Sequence, residues 1–140
     1  MSQTASLRVN PSDETIQLGP LAVRFLLTGS HSAGSVAVFE ILVPAAERLA
    51  APAHSHDHYE ETVYGIAGVL TWTVDGTPIN VGPGEALCVI TPAAIGPPFF
   101  HEAADVLAAA AGGPPDRARM AEIMRRYGLT PAPPTPQALG

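Results

Sequence analysis

Apolar and polar positions fall into short, strand-like runs over the first two-thirds of the chain and shift to helical spacing in the last third. Leu21 to Leu27 (LAVRFLL) has the length and character of a buried strand. Val36 to Val43 (VAVFEILV) is rich in β-branched and aromatic residues and stops at Pro44, as a second strand would. Pro44 to Pro52 is Ala-rich and reads as a turn or a helical bend. Thr62–Ala67 and Val69–Val74 are two more strands, parted by Gly68. Asp75-Gly76 then separates Val74 from the run Thr77–Val81. Asp-Gly between two β-rich runs predicts a tight hairpin, because the turn needs positive φ. Gly82-Pro83-Gly84 makes a further turn, and Ala86–Thr91 (ALCVIT) a further strand.

Pro97-Pro98 opens a helix, since proline lacks only an N–H that has no partner there. Phe99, Phe100, Ala103, Val106, Leu107 and Ala110 recur at helical spacing until Gly112-Gly113. A second helix runs from Asp116 to Tyr127. Asp116 suits its positive end, and Arg125 and Arg126 suit its negative end. Met120, Ile123, Met124 and Tyr127 form its apolar stripe. The expected organisation is a polar lead-in (1–15), a β-rich unit (16–96), a helical segment (97–128) and an extended Pro-rich tail (129–140).

Composition narrows the class. A chain of 140 residues with 46% apolar and 14% charged residues supports one domain with a core of its own. Gly 13 and Pro 15 suit many turns. All seven basic residues are Arg, against 13 acidic ones, giving a net charge of −6. That argues against a nucleic-acid partner, which is held by clustered Lys and Arg. The single cysteine, Cys88, makes no internal disulfide, which fits a reducing, cytoplasmic compartment. Met1–Asn10 has no apolar run of a secretory signal, and no window approaches the 18 apolar residues of a membrane span.

The chemistry gathers in His-Ser-His-Asp-His-Tyr-Glu-Glu, His54 to Glu61. Three of the five histidines stand here beside two glutamates, Glu60 and Glu61. Alternate residues of a strand share a face, so His54 and His56 can converge on one ion. Imidazole plus carboxylate suits a divalent transition metal: Fe, Mn, Ni, Co, Cu or Zn. Two histidines, one carboxylate and open positions make the layout of O₂-binding iron sites. An unbroken strand puts Glu60 on the histidine face; a turn at Asp57–Tyr59 brings in Glu61 instead.

Pro52 to Gly68 (PAHSHDHYEETVYGIAG) resembles the first cupin motif, G(X)5HXH(X)3–4E(X)6G. His54 and His56 fill HXH. Glu61 lies at the spacing that precedes Gly68, so the resemblance selects Glu61 over Glu60. Arg48 replaces the leading Gly. Val69–Gly84 also resembles the stretch that follows in cupins. The similarity covers about residues 20–96. It implies a mainly β fold, a cupin-like jelly-roll β-barrel with the metal inside, here followed by two C-terminal α-helices. The second motif, G(X)5PXG(X)2H(X)3N, supplies a further His in cupins, and no such His follows Gly82–Cys88. About two short strands are missing at Ala86-Leu87-Cys88. His58 and His101 are the alternatives for a fourth ligand.

The metal set is therefore His54, His56 and Glu61, with Glu61 also available as a catalytic base. The resemblance implies a metal-dependent oxidoreductase of dioxygenase type acting on a small organic molecule. Isomerase or lyase chemistry uses the same set. A non-catalytic binder, or a storage or interaction protein without metal, are the competing classes. Lost strands leave a sheet edge for a second copy to cover, so a homodimer is expected. Trp72, Phe39 and Tyr64 read as barrel core or pocket wall, and Tyr59 as a loop aromatic able to hydrogen-bond a ligand. Cys88 reads as a small buried apolar residue, His31 as solvated, and Arg125–Arg126 as helix-end charges.

Overall fold

The structure is a computed structural model describing residues 14–47, 52–81 and 85–133. Nine strands and two helices are seen among them. β1 (Ile16–Leu18), β2 (Leu21–Leu27), β3 (Ala37–Leu42), β5 (Glu60–Ala67) and β8 (Glu85–Thr91) form one antiparallel sheet in the order β1-β2-β3-β8-β5. β6 (Leu70–Val74) and β7 (Thr77–Val81) make a separate hairpin. Its turn residues Asp75 and Gly76 have φ of 50° and 77°, the positive values that Asp-Gly supplies. Among the described residues, β4 (His54–His56) pairs only with β9 (Leu129–Pro131), at the start of the expected tail. The Gly82–Gly84 turn, most of the lead-in and most of the tail lie outside the described residues.

The large sheet is unclosed. Its buried face carries Leu21, Val23, Phe25 and Leu27 of β2, Ala37, Phe39 and Ile41 of β3, and Ala86, Cys88 and Ile90 of β8. Alternation puts these on one side, as period-2 geometry requires. Helix α1 (Pro97–Ala109) covers that side with Phe100, Ala103 and Val106. The Phe100 ring meets Phe25 at 5.7 Å and Phe39 at 5.0 Å, both edge-on. Such pairs add about 0.5–1.5 kcal/mol each beyond burial. Helix α2 (Arg117–Arg126) adds Met120, Ile123 and Met124 to the same core. Asp116 caps it by accepting from the Arg119 N–H at 3.0 Å.

Between the helices, Glu102 accepts from the Tyr127 hydroxyl at 2.5 Å and from Arg126 at 2.7 Å. Arg126 thus has a specific partner besides its place at the helix end. His101 faces Glu14 at 2.9 Å, on the outside of α1. No helix among the described residues is long and apolar enough to cross a membrane.

One core expectation is corrected. Phe39 is buried, but Tyr64 is 70% exposed. On β5, Glu61, Val63 and Gly65 are the less exposed set, while Thr62, Tyr64 and Ile66 face outward. The register that turns Glu61 inward therefore turns Tyr64 out. The side chain of Trp72 lies outside the described residues.

Candidate functional site

The histidine strand is held from the C-terminal end of the chain. Gly128, with φ of 77°, ends α2 and lets the chain reverse into β9. The Gly128 carbonyl then accepts from the Asp57 N–H at 2.9 Å, and the Ala132 N–H donates to Ala53 at 2.7 Å. Thr130 Oγ1 donates to Asp57 Oδ1 at 2.7 Å. β9 thus clamps both ends of His54–His56. The sequence held little signal for this, because a three-residue strand has no periodicity to read.

Bends at Asp57 and His58 interrupt the chain between β4 and β5. The break moves Glu61 rather than Glu60 to the histidines. Glu60 is exposed, whereas His56 Nε2 and Glu61 Oε2 lie 3.5 Å apart, with side chains 20% and 18% exposed. The His54 and His56 rings have centres 5.3 Å apart. His54 Nδ1–H donates to the Pro52 carbonyl at 2.8 Å. That bond fixes the tautomer and leaves Nε2 as the free lone pair. His58 is exposed and bends away from the strand, and His101 is on α1 with Glu14. His31 is exposed in a turn, within 3.0 Å of the Thr28 hydroxyl.

Two neighbours deepen the site. Tyr59 is buried and stacks on the His56 ring, centres 4.7 Å apart and planes 14° from parallel. Its hydroxyl is enclosed and has no hydrogen-bond partner among the described residues. Burial, then the Glu61 and Asp57 charges, push the phenol far above its ordinary value, so it stays a protonated donor. On β8, Cys88 is buried, diagonally across the β5–β8 pair from Glu61. Burial, then that carboxylate, push the thiol far up as well. Burial pulls His56 below its ordinary value, with His54 adding to the fall, while Glu61 and Asp57 oppose it.

Among the described residues, no three His, Cys, Asp or Glu side chains are gathered as a ready-made metal site. The contacts are pairwise: His54 with His56, and His56 with Glu61. A surface hollow of about 210 Å³ lies elsewhere, lined by Thr15, Ala22, Arg24, Glu40, Ile41 and Leu42. Arg24 and Glu40 satisfy each other there at 2.6 Å, so it lacks the convergent free polar groups of a ligand site.

Residues 41–95 match the cupin domain family. The chain carries a small cupin-type domain. The match runs from the end of β3 through β8 and so contains His54, His56, Tyr59, Glu61 and Cys88. The helices that cover the sheet, and the β9 strand that clamps the histidines, lie outside the cupin match. No curated protein matches the chain.

Proposed function

We propose that this cupin-type protein binds a divalent transition metal (Fe, Mn, Ni, Co, Cu or Zn) through His54, His56 and Glu61. We further propose that it acts on a small organic molecule as an oxidoreductase of dioxygenase type. The observation that carries the metal reading is the spacing of the donors. An ion at about 2.1 Å from an imidazole nitrogen and a carboxylate oxygen, at a tetrahedral angle, sets those atoms about 3.4 Å apart. His56 and Glu61 stand at 3.5 Å, too long for a good hydrogen bond and right for two ligands of one ion. Two imidazoles on one ion place their ring centres about 5 Å apart. Those of His54 and His56 are 5.3 Å apart.

The metal supplies Lewis acidity and a place to bring O₂ and substrate together. The protein's part is to hold the donors, with Pro52 orienting His54 and Tyr59 supporting His56. Glu61 is the group able to take a proton from a bound molecule. The exposure of His54 and the unclosed sheet favour a second reading, a cupin that binds a small molecule without turnover. β5 ends the sheet and exposes Tyr64, Ile66 and Val69 nearby, which supports a homodimer with a second copy over that edge.

Elemental analysis of protein purified without chelator, beside a His54→Ala/His56→Ala double variant, tests the metal. Equal metal in both removes it. Turnover of a small-molecule panel by the metal-loaded protein, in air and without oxygen, separates the rest. Oxygen-dependent loss of a compound supports the dioxygenase reading. Oxygen-independent turnover overturns it, and binding without turnover supports the second reading.

A further inference from the structure

We propose that the C-terminal strand β9 assembles the histidine site, with Thr130 as its positioning residue. The inference rests on His54 and His56 being site residues, whether they hold an ion or meet a small molecule directly. β4 is not part of the five-stranded sheet, and β9 is its partner among the described residues. A three-residue strand has too little pairing to hold its own shape. β9 lies outside residues 41–95, the stretch matched to the cupin family. This chain thus recruits its C-terminal end as the partner that the histidine strand lacks in the main sheet.

The register explains how the pairing aims the histidines. The Asp57 N–H donates to Gly128 at 2.9 Å, and the Ala132 N–H donates to Ala53 at 2.7 Å. These two pairs lie two residues to either side of Ser55–Thr130. Hydrogen-bonded pairs alternate along an antiparallel ladder, so Ser55–Thr130 is a bonded pair. His54–Pro131 and His56–Leu129 are then the closer, unbonded pairs, and Pro131 forfeits no ladder bond. Opposed residues share a face, which puts His54 and His56 on the side of Pro131 and the buried Leu129.

Two further contacts fix the strand. Thr130 Oγ1 donates to Asp57 Oδ1 at 2.7 Å, across the diagonal of the other face. This ties down the residue at which the chain bends toward Glu61. Gly128 leaves room for the ring that stacks on His56, since a Cβ there would sit 3.4 Å from Tyr59 Cε1. β9 pairing and site assembly are therefore one equilibrium. When β9 leaves, His54 and His56 lose their fixed spacing, and His56 loses its opposed Leu129.

Amide exchange and histidine ring spectra of the full chain, measured by NMR, test this in Thr130→Pro, Thr130→Val and Thr130→Ser. Proline removes the ladder N–H opposite Ser55. The Ser55 and Asp57 amides are expected to exchange faster by at least roughly ten-fold, while amides of the β2–β3 ladder keep their rates. Thr130→Val loses only the hydroxyl and gives about a two- to ten-fold rise, which Thr130→Ser reverses. In wild type the Tyr59 face shifts the His56 ring signals upfield. In Thr130→Pro they move toward those of His31 and His101, which stand outside the site. Wild-type exchange at Ser55 and Asp57 in both Thr130→Pro and Thr130→Val overturns the proposal. So does an equal rise in the β2–β3 ladder, which marks a general loss of stability. Thr130→Val and Thr130→Ser decide the matter where Thr130→Pro folds poorly. Both readouts are made without metal or ligand, so a failure of the metal reading leaves them intact.

Discussion

Removing one oxygen atom from Tyr59 tests how the site is built. The Tyr59 hydroxyl is enclosed and has no hydrogen-bond partner among the described residues, while the ring belongs to the buried core cluster. A buried polar group left unpaired costs about 1–3 kcal/mol relative to its hydration in the unfolded chain. Tyr59→Phe keeps the ring, its stacking on His56 and nearly all of its volume. The metal-free variant is therefore expected to be more stable than wild type by about 1–3 kcal/mol. For a domain of this size each kcal/mol moves Tm upward by about 2–8 °C. Circular dichroism melts in a chelating buffer measure it, with urea unfolding as the equilibrium check. A chelated Tyr59→Phe protein less stable than wild type by 1 kcal/mol or more refutes the reasoning, since that hydroxyl is then partnered in the metal-free fold.

Asp116→Ala removes the α2 cap and is expected to cost about 1 kcal/mol in urea unfolding, with Asp116→Asn close to wild type. Glu102 is held below its ordinary carboxylate range, first by the Tyr127 hydroxyl and then by Arg126. A depressed carboxylate stabilises the fold above its unfolded value, about pH 4.3, and loses that contribution as pH falls through its folded value. Glu102→Gln is therefore expected to flatten the acid end of the stability curve below about pH 4.3, leaving its shape near pH 7 unchanged. Sedimentation equilibrium is expected to show a dimer that Tyr64→Glu weakens, because Tyr64 is exposed on the edge strand β5. A wild-type monomer at high concentration contradicts that.

The strands that can be read directly are those whose side chains face a solid core. β2 and β3 have long apolar runs bounded by turn residues, and both occur almost where the pattern puts them. The hairpin follows from Asp75-Gly76 and the two helices from their stripes and caps. β1 and β9 are three residues each, and a tail next to prolines gives no hint that Leu129–Pro131 will clamp the histidines. At the site, residue chemistry was legible and direction was not. His54, His56 and Glu61 stand out by type, yet the choice of Glu61 over Glu60 depends on bends at Asp57 and His58 that composition does not announce. The same choice fixes the opposite fate of Tyr64, because both residues ride one strand. Cys88 read as core filling, and it is buried; the strand pairing that sets it diagonal to Glu61 joins segments more than 20 residues apart, which local pattern cannot show.

The central claim is that one ion is held by His54, His56 and Glu61. Equilibrium titration of the chelator-stripped protein with a divalent transition metal tests it most directly, with Glu61→Gln and the His54→Ala/His56→Ala double variant measured alongside. One tight equivalent per chain in wild type, weakened in the first variant and abolished in the second, is the expected result. Binding that is absent in the wild type, or equally tight in all three proteins, contradicts it.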